Sequence, residues 1–122
     1  MEQMNKINLA DKLSQFEEHW SPRIVAELNG QHVKLAKLKG EFMWHKHDDE
    51  DELFHVLKGR LVIELRDGSV ALDPGECFVV PRGVEHKPVA EEECHVLMFE
   101  PAGTLNTGNL RNERTVEEPK RL

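Results

Sequence analysis

Turn signals recur along this chain at intervals that leave room only for short strands. Asn-Gly and Asp-Gly tolerate a positive φ in two-residue turns and are typical of antiparallel hairpins. Gly or Pro turns occur at Asn29-Gly30, Asp67-Gly68, Asp73-Pro74-Gly75 and Pro81-Arg82-Gly83. We therefore predict strands at 24–28, 31–38, 60–65, 70–72 and 94–99. The pattern indicates an all-β antiparallel sandwich or barrel.

Only the N-terminal region has a helical pattern. Leu9, Leu13 and Phe16 recur at i, i+4 and i+7, with Asn8 as N-cap, which predicts a helix within residues 8–18. Pro22 then blocks continuation of the helix. We divide the chain into an N-terminal helix and lead-in strand (1–22), a single barrel (23–102) and a polar C-terminal tail or arm (103–122), which lacks a periodic pattern.

Composition excludes several classes of partner. The 122 residues suffice for one domain, and the net charge of −7 with no basic stripe argues against nucleic acid. No apolar run approaches the roughly 20 residues that cross a bilayer, so no membrane partner is expected. The N-terminus lacks a signal-peptide core, which makes the cytoplasm the expected compartment. Cys77 and Cys94 have no disulfide or metal spacing and are expected to be reduced thiols in the β-core.

The segment from Gly40 to Glu52 concentrates metal-binding side chains. Side chains alternate along a strand, so His45 and His47 would point the same way, roughly 6.5–7 Å apart. The acidic run at 48–51 has no apolar alternation and predicts a turn, which can bring Glu52 to the same side. Together with His86, these residues would supply three imidazoles and one carboxylate, a donor set that suits a divalent transition metal.

Two motifs of this chain resemble those of the cupins. The family's first motif, G-x5-H-x-H-x3–4-E-x6-G, is matched by Gly40, His45, His47, Glu52 and Gly59, with four residues in place of five after the first glycine. Its second motif, G-x5-P-x-G-x2-H-x3-N, is matched by Gly75, Pro81, Gly83 and His86, with Ala90 in place of Asn. The chain resembles a small single-domain cupin of the conserved-barrel type, from an uncharacterised group often linked to mannose-6-phosphate isomerase.

This resemblance implies a fold, a metal and a range of functions. The fold would be a small antiparallel jelly-roll β-barrel. One divalent ion of Fe, Mn, Ni, Zn or Cu would be bound by His45, His47, Glu52 and His86. The protein would be a metal-binding monocupin, either an enzyme of isomerase or dioxygenase type acting on a small oxygenated molecule, or a non-catalytic module that binds a small ligand or metal. Many cupins are dimers, so a homodimer is expected.

Strand alternation also predicts which neighbours of the ligands line the pocket. Three side chains share the facing of the ligands: Met43, Phe54 and Val56. His55 and Trp44 should face away from the metal. Arg82 and Lys87 could contact an anionic substrate, but surface charge is the favoured interpretation.

Glu52 is predicted to be both a ligand and the catalytic proton acceptor. Asp51 is the alternative ligand, but the six-residue gap to Gly59 favours Glu52. The chain contains no tyrosine, which leaves Glu52 as the best general base near the metal.

Overall fold

The computed structural model of this protein describes residues 4–122. One short helix precedes seven strands: α1 (Leu9–Leu13), β1 (Arg23–Leu28), β2 (Gln31–Glu41), β3 (Glu52–Lys58), β4 (Leu61–Leu65), β5 (Gly68–Leu72), β6 (Cys77–Val80) and β7 (His86–Pro101). All pairs between these strands are antiparallel. The predicted all-β class and small antiparallel jelly-roll barrel are confirmed.

The long strand β7 joins the two halves of the barrel. The strand order is β1-β2-β7-β3-β6, and β4 pairs with both β5 and β7. Leu97 in the second half of β7 pairs with β2 and β3 at once, and Val89 in the first half pairs with β2 and β4. The predicted strand at 94–99 is therefore only the second half of a 16-residue strand. Pro88 and the exposed acids Glu91–Glu93 interrupt the apolar alternation, which is why the sequence pattern indicated a shorter element.

The two predicted hairpins form, one of them with a shifted turn. In the first, Asn29 and Gly30 have φ of 50° and 74°, as a primed turn requires. In the second, Leu65 pairs with Gly68, so the turn lies one residue earlier than predicted. The register places Ile63 opposite Val70, and a one-residue slip would turn every apolar side chain of β5 to the other face.

Apolar side chains form two clusters, one inside the barrel and one outside it. The interior cluster takes alternate residues from most strands, including Leu38, Phe54, Val56, Leu61, Ile63, Val96 and Met98. The outer cluster is built on Phe16, Val25 and Leu35, and Leu9 and Leu13 of α1 pack against it.

The helix is shorter than predicted. The Asn8 side chain accepts a hydrogen bond from the Asp11 N–H, as predicted for the cap, but α1 ends at Leu13. Phe16 lies beyond its end and fills the outer cluster. Tertiary burial therefore overrides the helical spacing.

The chain returns to the barrel at its C-terminal end. Ile24 donates its N–H to the Lys120 carbonyl at 2.8 Å, and Leu122 donates to the Ile24 carbonyl at 2.9 Å. Cys94 is buried as expected, whereas Cys77 is exposed because alternate side chains of the edge strand β6 point outward. Within residues 4–122, none of the helices has the length and apolar character to traverse a bilayer.

Candidate metal centre

Four side chains meet in the barrel interior, and they are the predicted set: His45, His47, Glu52 and His86. One donor atom from each lies within 4.8 Å of the other three. None of the four residues is more than 3% exposed. The structure therefore brings donors from two separated motifs to one buried point.

Backbone hydrogen bonds join the two motifs at this point. His45 and His86 exchange a reciprocal pair, with N···O distances of 3.0 and 2.9 Å. The Gly83 N–H donates to the His47 carbonyl at 2.7 Å. Glu52 begins β3 and pairs with Val80 at the end of β6. The turn after β6 thus docks against the histidine segment and holds the donors in register.

Two of the imidazoles have their tautomer set by the backbone. His45 Nδ1 lies 2.9 Å from the Met43 carbonyl, and His86 Nδ1 lies 2.9 Å from the Val84 carbonyl. Because a carbonyl only accepts, each Nδ1 carries the proton, and each Nε2 keeps a free lone pair. Carbonyl contacts of this kind orient metal-binding histidines.

Three polar atoms that face one another within the cluster make no hydrogen bonds. His47 Nε2 and His86 Nε2 lie 3.2 and 3.4 Å from Glu52 Oε1. All three atoms are buried, and none makes a well-directed hydrogen bond. Unpaired buried polar atoms are costly and rare in folded proteins. A cation placed among them would satisfy all three, so the donor set fits a metal ion.

The charges of the cluster favour the metal-donor forms of His45 and Glu52. Burial, and then the neighbouring His86 imidazole, lower the pKa of His45 to about 4. Burial also lowers the pKa of His47, but Glu52 outweighs it and raises that pKa above its ordinary value. Burial favours a neutral Glu52, yet His47 and His86 hold the pKa of that carboxyl below its usual range. At neutral pH the His45 imidazole is uncharged and Glu52 is a carboxylate, the forms that coordinate cations.

Glu52 and its neighbour Asp51 have different surroundings. Glu52 is 1% exposed and faces the imidazoles. Asp51 is exposed, accepts the Arg82 N–H at 2.9 Å and pairs with the Arg82 guanidinium. The structure thus brings Glu52 into the cluster and leaves Asp51 on the surface with Arg82.

A second buried polar pair lies behind Glu52, and sequence reasoning missed it. Lys34 Nζ and Glu100 Oε1 are 3.5 Å apart, with side chains only 3% and 2% exposed. Burial, and then the Glu52 carboxylate, raise the pKa of Glu100 well above its ordinary value, while Lys34 opposes this. Both residues fall on the inward phase of strands β2 and β7. Strand alternation with Ala36 could therefore have located them.

A small cavity opens beside the cluster. About 30 Å³ of it is open to the centre of a water-sized molecule, and its walls are mostly apolar. The cavity residues are Trp20, Pro22, Ala36, Leu38, Phe42, His45, Glu52, Phe54, Pro88, Met98 and Asn106. Trp20 and Phe42 stack at 4.7 Å between ring centroids. Neither ring was predicted at the site. Trp20 comes from the lead-in segment, far from both motifs in the chain, and Phe42 lies within the first motif but out of phase with His45 and His47 in strand alternation.

The three residues predicted to line the pocket lie in different places. Phe54 borders the cavity. Val56 lies deeper in the interior cluster and is fully buried. Met43 is partly buried, and its Sδ lies 3.3 Å from Asn112 Nδ2. A role for these three residues in ligand binding stays a prediction.

Comparison with known proteins agrees with this geometry. The model of the cupin domain family matches residues 31–100, more than half of the chain. The chain belongs to the cupin family. The cupin is 53% identical to a cupin-2 domain protein of Shewanella frigidimarina of known crystal structure, with a TM-score of 0.77, covering 78% of this chain and 93% of that one.

Two further relatives extend the comparison. A crystal structure of a Neisseria meningitidis protein is 32% identical, with a TM-score of 0.74, and the match covers 80% of this cupin and all of that chain. The uncharacterized protein YdbB of Bacillus subtilis is 34% identical over 84 residues, which are 68% of this cupin and 72% of YdbB. The predicted membership of a small single-domain cupin family is confirmed.

Proposed function

We propose that this cupin binds one divalent transition ion, Fe, Mn, Ni, Zn or Cu, through His45, His47, Glu52 and His86. The observation that supports this most directly is the set of buried donor atoms that face one another without hydrogen bonds. Imidazole and carboxylate donors together suit such ions, and affinity alone does not separate them. When bound, the ion would act as a Lewis acid and orient an oxygen-bearing substrate.

We propose that the ligand is a small oxygenated molecule with an apolar body, bound in the cavity. Among the described residues, those that line the cavity include neither lysine nor arginine, and the polar ones are His45, Glu52 and Asn106. Phosphate recognition normally uses such cations. The cavity therefore disfavours a sugar phosphate, and the link to mannose-6-phosphate isomerase stays a prediction without support from the lining. The two candidates for an anionic substrate are paired with carboxylates: Arg82 with Asp51, and Lys87 with Glu41 and Glu64.

The lining favours a reaction of dioxygenase type over an isomerisation. An isomerase needs a side chain that moves protons, and in this cavity that task falls to Glu52, the only carboxylate among its described lining residues. Glu52 also faces His47 and His86, which lower its pKa and so make it a weak base. A dioxygenase mainly requires that the chain hold the metal ligands in place and surround the substrate with apolar walls. The donor cluster and the cavity beside it meet these two requirements.

The proposal is tested by metal uptake and turnover. Protein stripped with a chelator should take up one equivalent of Fe(II), Mn(II), Ni(II) or Zn(II) in a metal analysis. His47→Ala should abolish uptake, whereas the matched His55→Ala, on the outward phase of β3, should retain it. Oxygen consumption with diols, enols and diketones, and isomerisation of small sugars, would then identify the reaction type. A stripped protein that takes up no transition metal would overturn the proposal.

A non-catalytic binding module is the second candidate. The scarcity of acid–base groups in the cavity suits simple binding as well. Saturable ligand binding in calorimetry, without turnover under any of these metals, would favour it. The predicted homodimer and cytoplasmic location stay predictions, and light scattering of the purified protein would decide the former.

A further inference from the structure

The C-terminal residues 103–116, here called the strap, pack along the segment that carries His45 and His47. Arg114 donates to the Glu41 carbonyl at 3.0 Å, and its guanidinium lies 5.4 Å from the Phe42 ring centroid. Asn109 contacts Lys46, between the two histidines. The strap thus runs beside residues 41–47, here called the histidine segment, as far as the acidic turn at 48–51.

The histidine segment is held from both of its edges. His45 and His47 direct their backbone groups to the second motif, where His86 and Gly83 pair with them. Lys46 directs its groups the opposite way, as alternate residues of an extended chain do. Its N–H donates to Asn109 Oδ1 at 3.0 Å, and its carbonyl accepts from the Asn109 N–H at 2.8 Å. One strap residue therefore takes the place of a neighbouring strand.

The strap approaches this segment too closely for a side chain at Gly108. A Cβ built there would lie 2.2 Å from the Lys46 carbonyl oxygen and 3.1 Å from His45 Cδ2. Gly108 also has a φ of +59°, a conformation that favours glycine. The absence of a side chain is what allows the strap to lie directly against the backbone that holds the two imidazoles.

The strap has an internal scaffold that fixes its shape. Asn106 Nδ2 donates to the Arg114 carbonyl at 2.8 Å, and Asn106 Oδ1 accepts the Val116 N–H at 2.8 Å. Thr107 is fully buried, and its hydroxyl lies 2.7 Å from that of Thr115. Gly108 and Asn109 thus sit in a loop closed by hydrogen bonds on both sides.

We propose that the strap is part of the metal centre, with Gly108 and Asn109 as positioning residues for His45 and His47. This inference rests on the proposed metal function, because the donors that the strap positions are the proposed ligands. Positioning partners of metal ligands typically change metal affinity by about 10- to 100-fold when they are altered. The strap is therefore expected to contribute to affinity although none of its described residues belongs to the donor cluster.

Gly108→Ala tests the close approach, with two matched controls. Gly30 lies in the β1–β2 turn with a φ of +74° and open space around its Cβ position, so Gly30→Ala adds the backbone strain without a clash. A Cβ at Gly59 would meet the Glu93 carbonyl at 2.7 Å, so Gly59→Ala adds a clash away from the donor cluster. In Co(II) titrations, Gly108→Ala should raise Kd by about 10- to 100-fold. The controls should change it by less than about 2-fold, since neither moves the donors.

Asn109 supplies a milder pair of variants, which decides the matter if Gly108→Ala does not fold. Asn109→Leu removes the acceptor for the Lys46 N–H and should raise Kd by about 3- to 10-fold. Asn109→Asp keeps the acceptor and should stay within about 2-fold of the wild type in 0.5 M salt, which screens its added charge. Equal Kd values for Asn109→Leu and the wild type would overturn the proposal, as would equal losses in Gly108→Ala and Gly59→Ala.

A separate readout distinguishes failure of this inference from failure of the proposed function. If the wild type takes up no Co(II), the metal proposal fails, and the strap is tested through imidazole ¹⁵N shifts of the metal-free protein. Gly108→Ala should then shift the signals of His45 and His47 and leave those of His55 unchanged. Unchanged shifts for all three would refute the positioning role.

Discussion

Lys34→Met is the substitution whose effect follows most directly from the structure. The Lys34 and Glu100 side chains are 3% and 2% exposed and lie 3.5 Å apart. At an effective dielectric constant of about 20, full unit charges at this separation would attract by roughly 4–5 kcal/mol, which is an upper limit because the pKa of Glu100 is already raised in the wild type. Methionine replaces the aliphatic part of the lysine without a large cavity. The variant therefore isolates the loss of the ammonium group next to a buried carboxyl.

The cost of this substitution has a limit that depends on pH. Without Lys34, Glu100 would take up a proton instead of remaining a lone buried anion. Relative to the ordinary pKa of 4.5, that costs 1.36 kcal/mol for each pH unit, or about 3.4 kcal/mol at pH 7 and about 0.7 kcal/mol at pH 5. Because the pKa of Glu100 is raised in the folded state, the variant keeps its full stability below pH 4.5. Its stability then falls as the pH rises toward the folded-state pKa of Glu100. Burial and Glu52 already raise the pKa of Glu100 in the wild type, so part of this cost is present there too. We therefore expect a loss of at most about 3 kcal/mol at pH 7 and under about 1 kcal/mol at pH 5.

Urea unfolding at both pH values, followed by tryptophan fluorescence with EDTA present, measures these losses. The double variant Lys34→Met/Glu100→Gln should recover most of the loss at pH 7, since no buried charge then remains unpaired. Lys58→Met, at the exposed end of β3, is the control and should stay within about 0.5 kcal/mol of the wild type. Equal losses at pH 5 and pH 7, or a double variant no more stable than the single one, would refute the reasoning.

Three further predictions concern the carboxylates and the thiols. Glu52→Gln should weaken metal uptake by at least about 100-fold in a Co(II) titration, and Asp51→Asn should leave it unchanged because that carboxylate is exposed and paired elsewhere. A comparable effect of both would contradict the assignment. His19 and then His95 lower the pKa of Glu93 to about 2. The Glu93 carboxylate therefore stabilises the fold fully above about pH 4.5, and this stabilisation is lost as the pH falls toward 2. In acid unfolding, the stability of Glu93→Gln should converge with that of the wild type near pH 2, and a difference that stays constant with pH would count against this prediction. A thiol reagent should modify Cys77 rapidly and Cys94 only upon unfolding, because burial raises the pKa of Cys94 to about 11; mass spectrometry that finds Cys94 labelled first would exclude this.

The sequence predicted the strands because turn chemistry and alternation agree along most of this chain. Asn29-Gly30 gave both the turn and the register of its hairpin, since only a primed turn fits there. The turn at Gly68 was misplaced by one residue, because packing of Ile63 and Val70 in the interior cluster decides the register. The end of α1 was also misjudged, since Phe16 satisfies a helical spacing but is buried by packing beyond the helix.

The donor cluster was predictable because its residues lie in two compact motifs. His45 and His86 come together through reciprocal backbone hydrogen bonds that the turn after β6 makes available. The rest of the site could not be foreseen, since it depends on long-range packing. Trp20 reaches the cavity from the lead-in segment, and Asn109 reaches Lys46 from 63 positions along the chain. No local pattern of spacing or polarity encodes such an approach.

The place of β7 in the barrel has a consequence for how the protein is made. This strand pairs with β2, β3 and β4, so both halves of the barrel stay open until residues 86–101 have been synthesised. Contacts between positions so distant in the chain form late and slowly. His45 and His47 leave the ribosome long before His86, and the strap follows after His86. A nascent chain therefore passes through a period in which its histidines are accessible but not yet brought together, so uptake of the proposed metal would follow closure of the barrel.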